Sequence, residues 1–142
     1  MTKTVVSLDD KYRQREGHVF MSAIQALVRL PLEQARRDKA AGLVTAGFIS
    51  GYRGSPLGTY DAALWNAQSL LDEEGITFLP ALNEELAASS VRGTQELNWL
   101  GKSQKQGIFA LWYGKGVGTD RAMESLKLGN LEGAAAHGGV LV

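Results

Sequence analysis

Three short segments carry side chains whose types and spacing could do chemistry. Gly51-Tyr52-Arg53-Gly54-Ser55-Pro56-Leu57-Gly58 sets three glycines around a guanidinium and a hydroxyl. Glycine lets a backbone turn tightly and approach a ligand, while Arg53 offers a forked anion donor and Ser55 a hydroxyl. The same residues also suit an ordinary strand-to-helix turn with an exposed arginine. Leu82-Asn83-Glu84-Glu85 places two carboxyl groups side by side. They suit acid–base chemistry. They also suit the positive end of a helix dipole, worth roughly 0.3–1 kcal/mol each. Gly114-Lys115-Gly116-Val117-Gly118-Thr119-Asp120 opens like a dinucleotide-binding turn, but Thr119 stands where the last glycine belongs. Its backbone N–H groups remain available to an anion. Gly101-Lys102-Ser103 mimics the end of a phosphate-binding loop, yet the first glycine of that motif would fall at Glu96, and the segment follows a helix. His18 and His137 have no acid or second histidine at metal-ligand spacing and read as structural.

The elements that must position these segments follow from periodicity. Phe20, Ile24, Leu27 and Val28 recur at helical spacing over 20–28. Pro31 interrupts that helix and opens a second piece over 31–39, which Gly42 stops. Residues 44–50 are short and apolar and read as a strand. A helix over 60–71 carries Leu64, Ala67 and Leu71 on one face and closes at Gly75. Strand 76–79 ends at Pro80. Asn83 caps a helix running to about 99. Residues 108–113 are almost wholly apolar, as expected of a strand buried on both faces. A helix over 120–131 and a strand over 138–142 complete the order. Strands alternating with such helices predict an α/β fold with an open, mostly parallel sheet flanked by helices. In such sheets ligands bind beyond the carboxyl ends of the strands. All three chemical segments follow strands, so a parallel sheet brings them to one rim.

Composition narrows the function classes. The 142 residues fit one domain, with a polar leader over 1–16 and the domain over 17–142. Hydrophobic residues make up 44%, enough for a core and too many for a disordered chain. Lys plus Arg equals Asp plus Glu at 15 each, so neither a nucleic-acid-tracking surface nor a polybasic membrane anchor is expected. Apolar runs fall far short of the ~20 residues that span a bilayer. The polar beginning has no signal-peptide core, and a cytoplasmic location is the expectation. No cysteine is present, which excludes a thiolate-bound zinc or iron–sulfur cluster within these residues.

Taken with their order, the motifs resemble indolepyruvate ferredoxin oxidoreductase. The resemblance rests on Gly51 to Gly58, Asn83-Glu84 with Ala87-Ala88, Trp112-Tyr113-Gly114-Lys115-Gly116 with Asp120-Arg121, and His137-Gly138-Gly139-Val140-Leu141-Val142. The stretch Ile24-Gln25-Ala26-Leu27-Val28-Arg29-Leu30-Pro31 is similar to the family's amino-terminal helix. The match covers nearly the whole chain from about Ser7 and is closest to the long fused forms. It implies oxidative decarboxylation of an aryl 2-oxoacid to an acyl-coenzyme A, with electrons passing through iron–sulfur clusters to ferredoxin.

The part of the family that this chain resembles contacts the pyrimidine ring of thiamine diphosphate. The resemblance makes Glu84 the activating carboxyl group that hydrogen-bonds the pyrimidine N1′, with Glu85 the fallback. It makes Ser55 and Pro56 a turn contacting cofactor or substrate, where the family more often has threonine. Gly114 and Gly116 become cofactor-binding. Arg53 as the partner of the substrate carboxylate is an inference from charge. The diphosphate and magnesium, the clusters, and the domain that closes the site are expected on other domains or subunits. The chain ends on an apolar strand, so a fold cut short or completed by another chain is expected, with a natural edge strand as the alternative. Such a chain is expected to oligomerise and to be inactive alone. The rival expectation is a non-catalytic module that keeps the fold and docks to a partner subunit.

Overall fold

The change of rhythm near residue 44 marks the start of a sheet. A computed structural model describes residues 7–54, 57–101 and 103–142. In it, strands β1 (Thr45–Gly51), β2 (Ile76–Phe78), β3 (Gly107–Tyr113) and β4 (Gly139–Leu141) lie parallel in the order β2-β1-β3-β4. The protein is therefore α/β, with an open parallel sheet flanked by helices. Between β1 and β3 the order reverses direction, the place where open parallel sheets as a rule leave a crevice at the carboxyl ends.

Two apolar layers hold the sheet. On one face, α2 (Ala23–Ala40), α3 (Gly58–Asn66) and α4 (Gln68–Glu73) bury Val28, Leu32, Leu64 and Leu71 against Ile49, Leu111 and Tyr113. On the other, α5 (Glu84–Gln95) and α7 (Gly116–Glu132) bury Ala87, Val91 and Ala122 against Ala110, Trp112 and Phe48. The period-2 alternation of strands assigns Phe48 and Ile49 to opposite layers. A short helix α6 (Leu97–Leu100) follows α5.

The β1–β3 pair is keyed by size. Gly47 pairs with Phe109, and Gly51 pairs with Tyr113. A Cβ at Gly47 would lie 2.7 Å from the Phe109 ring, and one at Gly51 would lie 2.5 Å from the Tyr113 ring. Each glycine vacates the space its partner's ring occupies.

Several sequence expectations shift. Phe20 lies outside the helix and is 99% exposed, because Ser22 and Gln25 form a capping box that starts α2 at Ala23. Pro31 does not break that helix. Its missing N–H leaves the Leu27 carbonyl without its usual donor, and the Tyr60 hydroxyl donates there at 3.3 Å. The single helix over 60–71 is two, separated at Ala67. Helix α7 begins at Gly116, so much of the third segment is helical rather than loop. The leader is not wholly solvated. Residues Asp10–Arg13 form a helical turn, α1, that buries Tyr12 in the first layer. Arg29 and Arg36 hold its carbonyls, Arg29 donating to Lys11 and Gln14 and Arg36 to Tyr12. Among the described residues no helix is long and apolar enough to cross a membrane.

Candidate active site

Because every strand is parallel, the segments after β1, β2 and β3 reach one rim. Glu84 is the most constrained side chain there. Asn83 takes an extended backbone, and its side-chain oxygen accepts the Leu86 N–H at 2.8 Å, which starts α5 at Glu84. The Glu84 carbonyl then accepts the Trp112 indole N–H from β3 at 3.1 Å. Its side chain runs toward α7 and lies against Gly118, and the residue is only 6% exposed. No hydrogen bond or ion pair from a described side chain reaches its carboxylate. Its oxygens are not among the sealed, unpartnered polar atoms of the described residues, so they keep a path to solvent at the strand ends, where a ligand's donor would reach them. Glu85, one residue on, is exposed.

The glycines of the third segment have a steric purpose. None of Gly114, Gly116 and Gly118 has a positive φ. A Cβ at Gly114 would lie 2.6 Å from the Trp112 indole, so its absence lets that ring sit where it can hold Glu84. Gly116 faces open space. Lys115 precedes α7 without a side-chain cap bond and is exposed.

Arg53 is exposed just past β1 and makes no ion pair with a described residue. It lies near enough to the Tyr113 phenol to favour its ionised form. That effect is outweighed: burial first, then the hydrogen bond to Asp61, pushes the Tyr113 phenol well above its ordinary range. The Tyr113 hydroxyl donates to the buried Asp61 carboxylate at 2.9 Å, and its ring meets Tyr60 edge-on at 5.2 Å. Burial likewise pushes Tyr60 up. Sequence reasoning missed this Tyr113–Asp61 pair. Glycines four apart in β1 and aromatic rings four apart in β3 signal the pairing of those strands, but not the reach of Tyr113 to Asp61 on α3. Ser55 and Pro56 lie outside the described residues.

Just past β2, Leu79 and Leu82 are exposed, as are Leu86 and Val117 in the first turns of α5 and α7. At the far edge of the sheet Val140, Leu141 and Val142 are also exposed. Among the described residues no three His, Cys, Asp or Glu side chains gather as a metal site. No protein-family model, no curated protein and no solved structure matches this chain.

Proposed function

We propose that this chain forms the pyrimidine-binding wall of a thiamine-diphosphate-dependent 2-oxoacid:ferredoxin oxidoreductase of the indolepyruvate type. The observation that carries the reading is Glu84, a residue only 6% exposed at the strand ends, whose carboxylate meets no side-chain partner among the described residues. It fits the group the motifs imply, because a pyrimidine ring nitrogen would satisfy it. When bound, thiamine diphosphate supplies the nucleophilic carbon and the electron sink for decarboxylation. Glu84 holds and shares a proton at the pyrimidine nitrogen, a bond that strengthens once a docked partner excludes water from the rim. Trp112 and Asn83 fix the backbone of Glu84. Gly114 and Gly116 bring bare backbone to the same rim. Arg53 is assigned the substrate carboxylate, and Ser55-Pro56 the neighbouring contact. The exposed collar of Leu79, Leu82, Leu86 and Val117 fits a partner domain that brings the diphosphate, magnesium and iron–sulfur clusters. Coenzyme A and ferredoxin then serve the complete enzyme in the cytoplasm.

The test is thiamine C2 proton exchange, followed by NMR in a complete protein containing this segment. Glu84→Gln should slow exchange by ~10²–10⁴-fold while thiamine affinity changes little. Exchange that survives Glu84→Gln but collapses in Glu85→Gln moves the role by one residue. Exchange unaffected in both sinks the assignment. The same apolar collar supports a second reading, a non-catalytic module docked to a partner subunit. That reading predicts that Val117→Asp abolishes docking while Glu84→Gln changes nothing but stability.

A further inference from the structure

Glycine within the first turn of a long helix needs a reason. Alanine there would favour folding by a factor of about four to five, and the backbone of Gly118 takes no conformation that requires glycine. The reason lies in α5. A Cβ at Gly118 would sit 2.5 Å from Glu84 Cγ, 2.8 Å from its Oε1 and 2.9 Å from its Cδ. Helix α7 cannot back away easily. The Ser89 and Ser125 hydroxyls meet at 2.8 Å, and Arg92 reaches Glu132 at 3.2 Å, so α5 and α7 are tied along their length. Arg92 also packs over Gly129. The part free to yield is the end of the Glu84 side chain.

We propose that Gly118 is a positioning residue: its missing side chain is the slot that keeps the Glu84 carboxylate folded inward, at the height where the crevice opens. The inference rests on the reading of Glu84 as the working carboxyl group. A methyl at position 118 would turn that carboxylate out to solvent without unravelling the helices.

Carbodiimide labelling of carboxyl groups on the 142-residue chain, mapped by mass spectrometry, tests the geometry without any cofactor. Glu84 should be protected in the wild type and label at least about tenfold faster in Gly118→Ala, in line with the gap between a buried and an exposed group. Gly93→Ala, at a helical glycine with nothing within 4 Å, should leave Glu84 protected. Equal protection in Gly118→Ala overturns the proposal. If Gly118→Ala folds poorly, a double-mutant cycle decides. In a Glu84→Ala background the same substitution should strengthen folding by about four- to fivefold. Equal damage with and without the Glu84 side chain refutes the slot. In the complete protein, Gly118→Ala should slow C2 exchange as Glu84→Gln does. Faster labelling of Glu84 with C2 exchange untouched by Glu84→Gln would keep the slot and refute the thiamine reading instead.

Discussion

Raising the pH should attack this fold chiefly through two of its three raised phenols, Tyr113 and Tyr60, with Tyr12 the third, and Tyr113→Phe should blunt the attack. Tyr113 and Tyr60 are both held well above their ordinary value near 10, chiefly by burial. Below about pH 10 both are neutral in folded and unfolded chains, and their contribution is complete. Above it the unfolded chain releases those protons while the folded chain keeps them, so stability falls as pH rises. Each phenol costs ~1.36 kcal/mol per pH unit in that window, or about 2.7 kcal/mol for the pair. Tyr113→Phe has two separable effects. Near neutral pH it strips the buried Asp61 carboxylate of its 2.9 Å donor, a loss of about 1.5–3 kcal/mol. Above about pH 10 it removes one ionising phenol, so the alkaline slope should flatten by ~1.4 kcal/mol per unit relative to the wild type. Urea unfolding at a series of pH values measures both. An alkaline slope identical in wild type and Tyr113→Phe would refute the reasoning. So would a tyrosinate absorbance titration in which the folded protein shows every phenol ionising near 10.

Two further substitutions probe the framework. Tyr60→Phe should cost about 1–3 kcal/mol by orphaning the Leu27 carbonyl, and the cost should shrink in a Pro31→Ala background, where a backbone N–H can serve that carbonyl; a denaturant double-mutant cycle reads the coupling. Gln95 donates to the Ile108 carbonyl and accepts the Gly139 N–H, so its side chain ties β4 to the sheet. Gln95→Ala should therefore speed amide exchange at Gly139 and through β4 while leaving β1 protected, as hydrogen-exchange mass spectrometry would show.

Much of this architecture was legible because it follows from short-range rules. The apolar run before Gly51, the cap at Asn83 and the stop at Gly42 each stand where local chemistry puts them. The rim was legible once the strands were taken as parallel. What the chain order hides is contact between distant residues. Pro31 reads as a helix breaker because the donor that compensates it, Tyr60, lies far along the sequence. The Trp112 indole beside Gly114 and the Glu84 side chain beside Gly118 are contacts that the spacing of those glycines does not announce. Residue type and periodicity do not separate Glu84 from Glu85, and it is packing against Gly118 and Trp112 that buries the first and leaves the second in water.

The paired glycines and rings of β1 and β3 bear on how the chain finds this arrangement. The two strands are roughly sixty residues apart, a long-range pairing whose closure is slow. A slip by one residue would drive a ring into the Cβ of Phe48 or Ser50 and turn every side chain to the wrong layer. Two teeth, at Gly47 and Gly51, thus admit one alignment. That alignment also sets how far β3 extends beside β1, and so the level at which Arg53 and Gly114 leave the sheet. The shape of the rim is therefore decided by the register of a buried strand pair that lies directly beneath the groups assigned to a ligand.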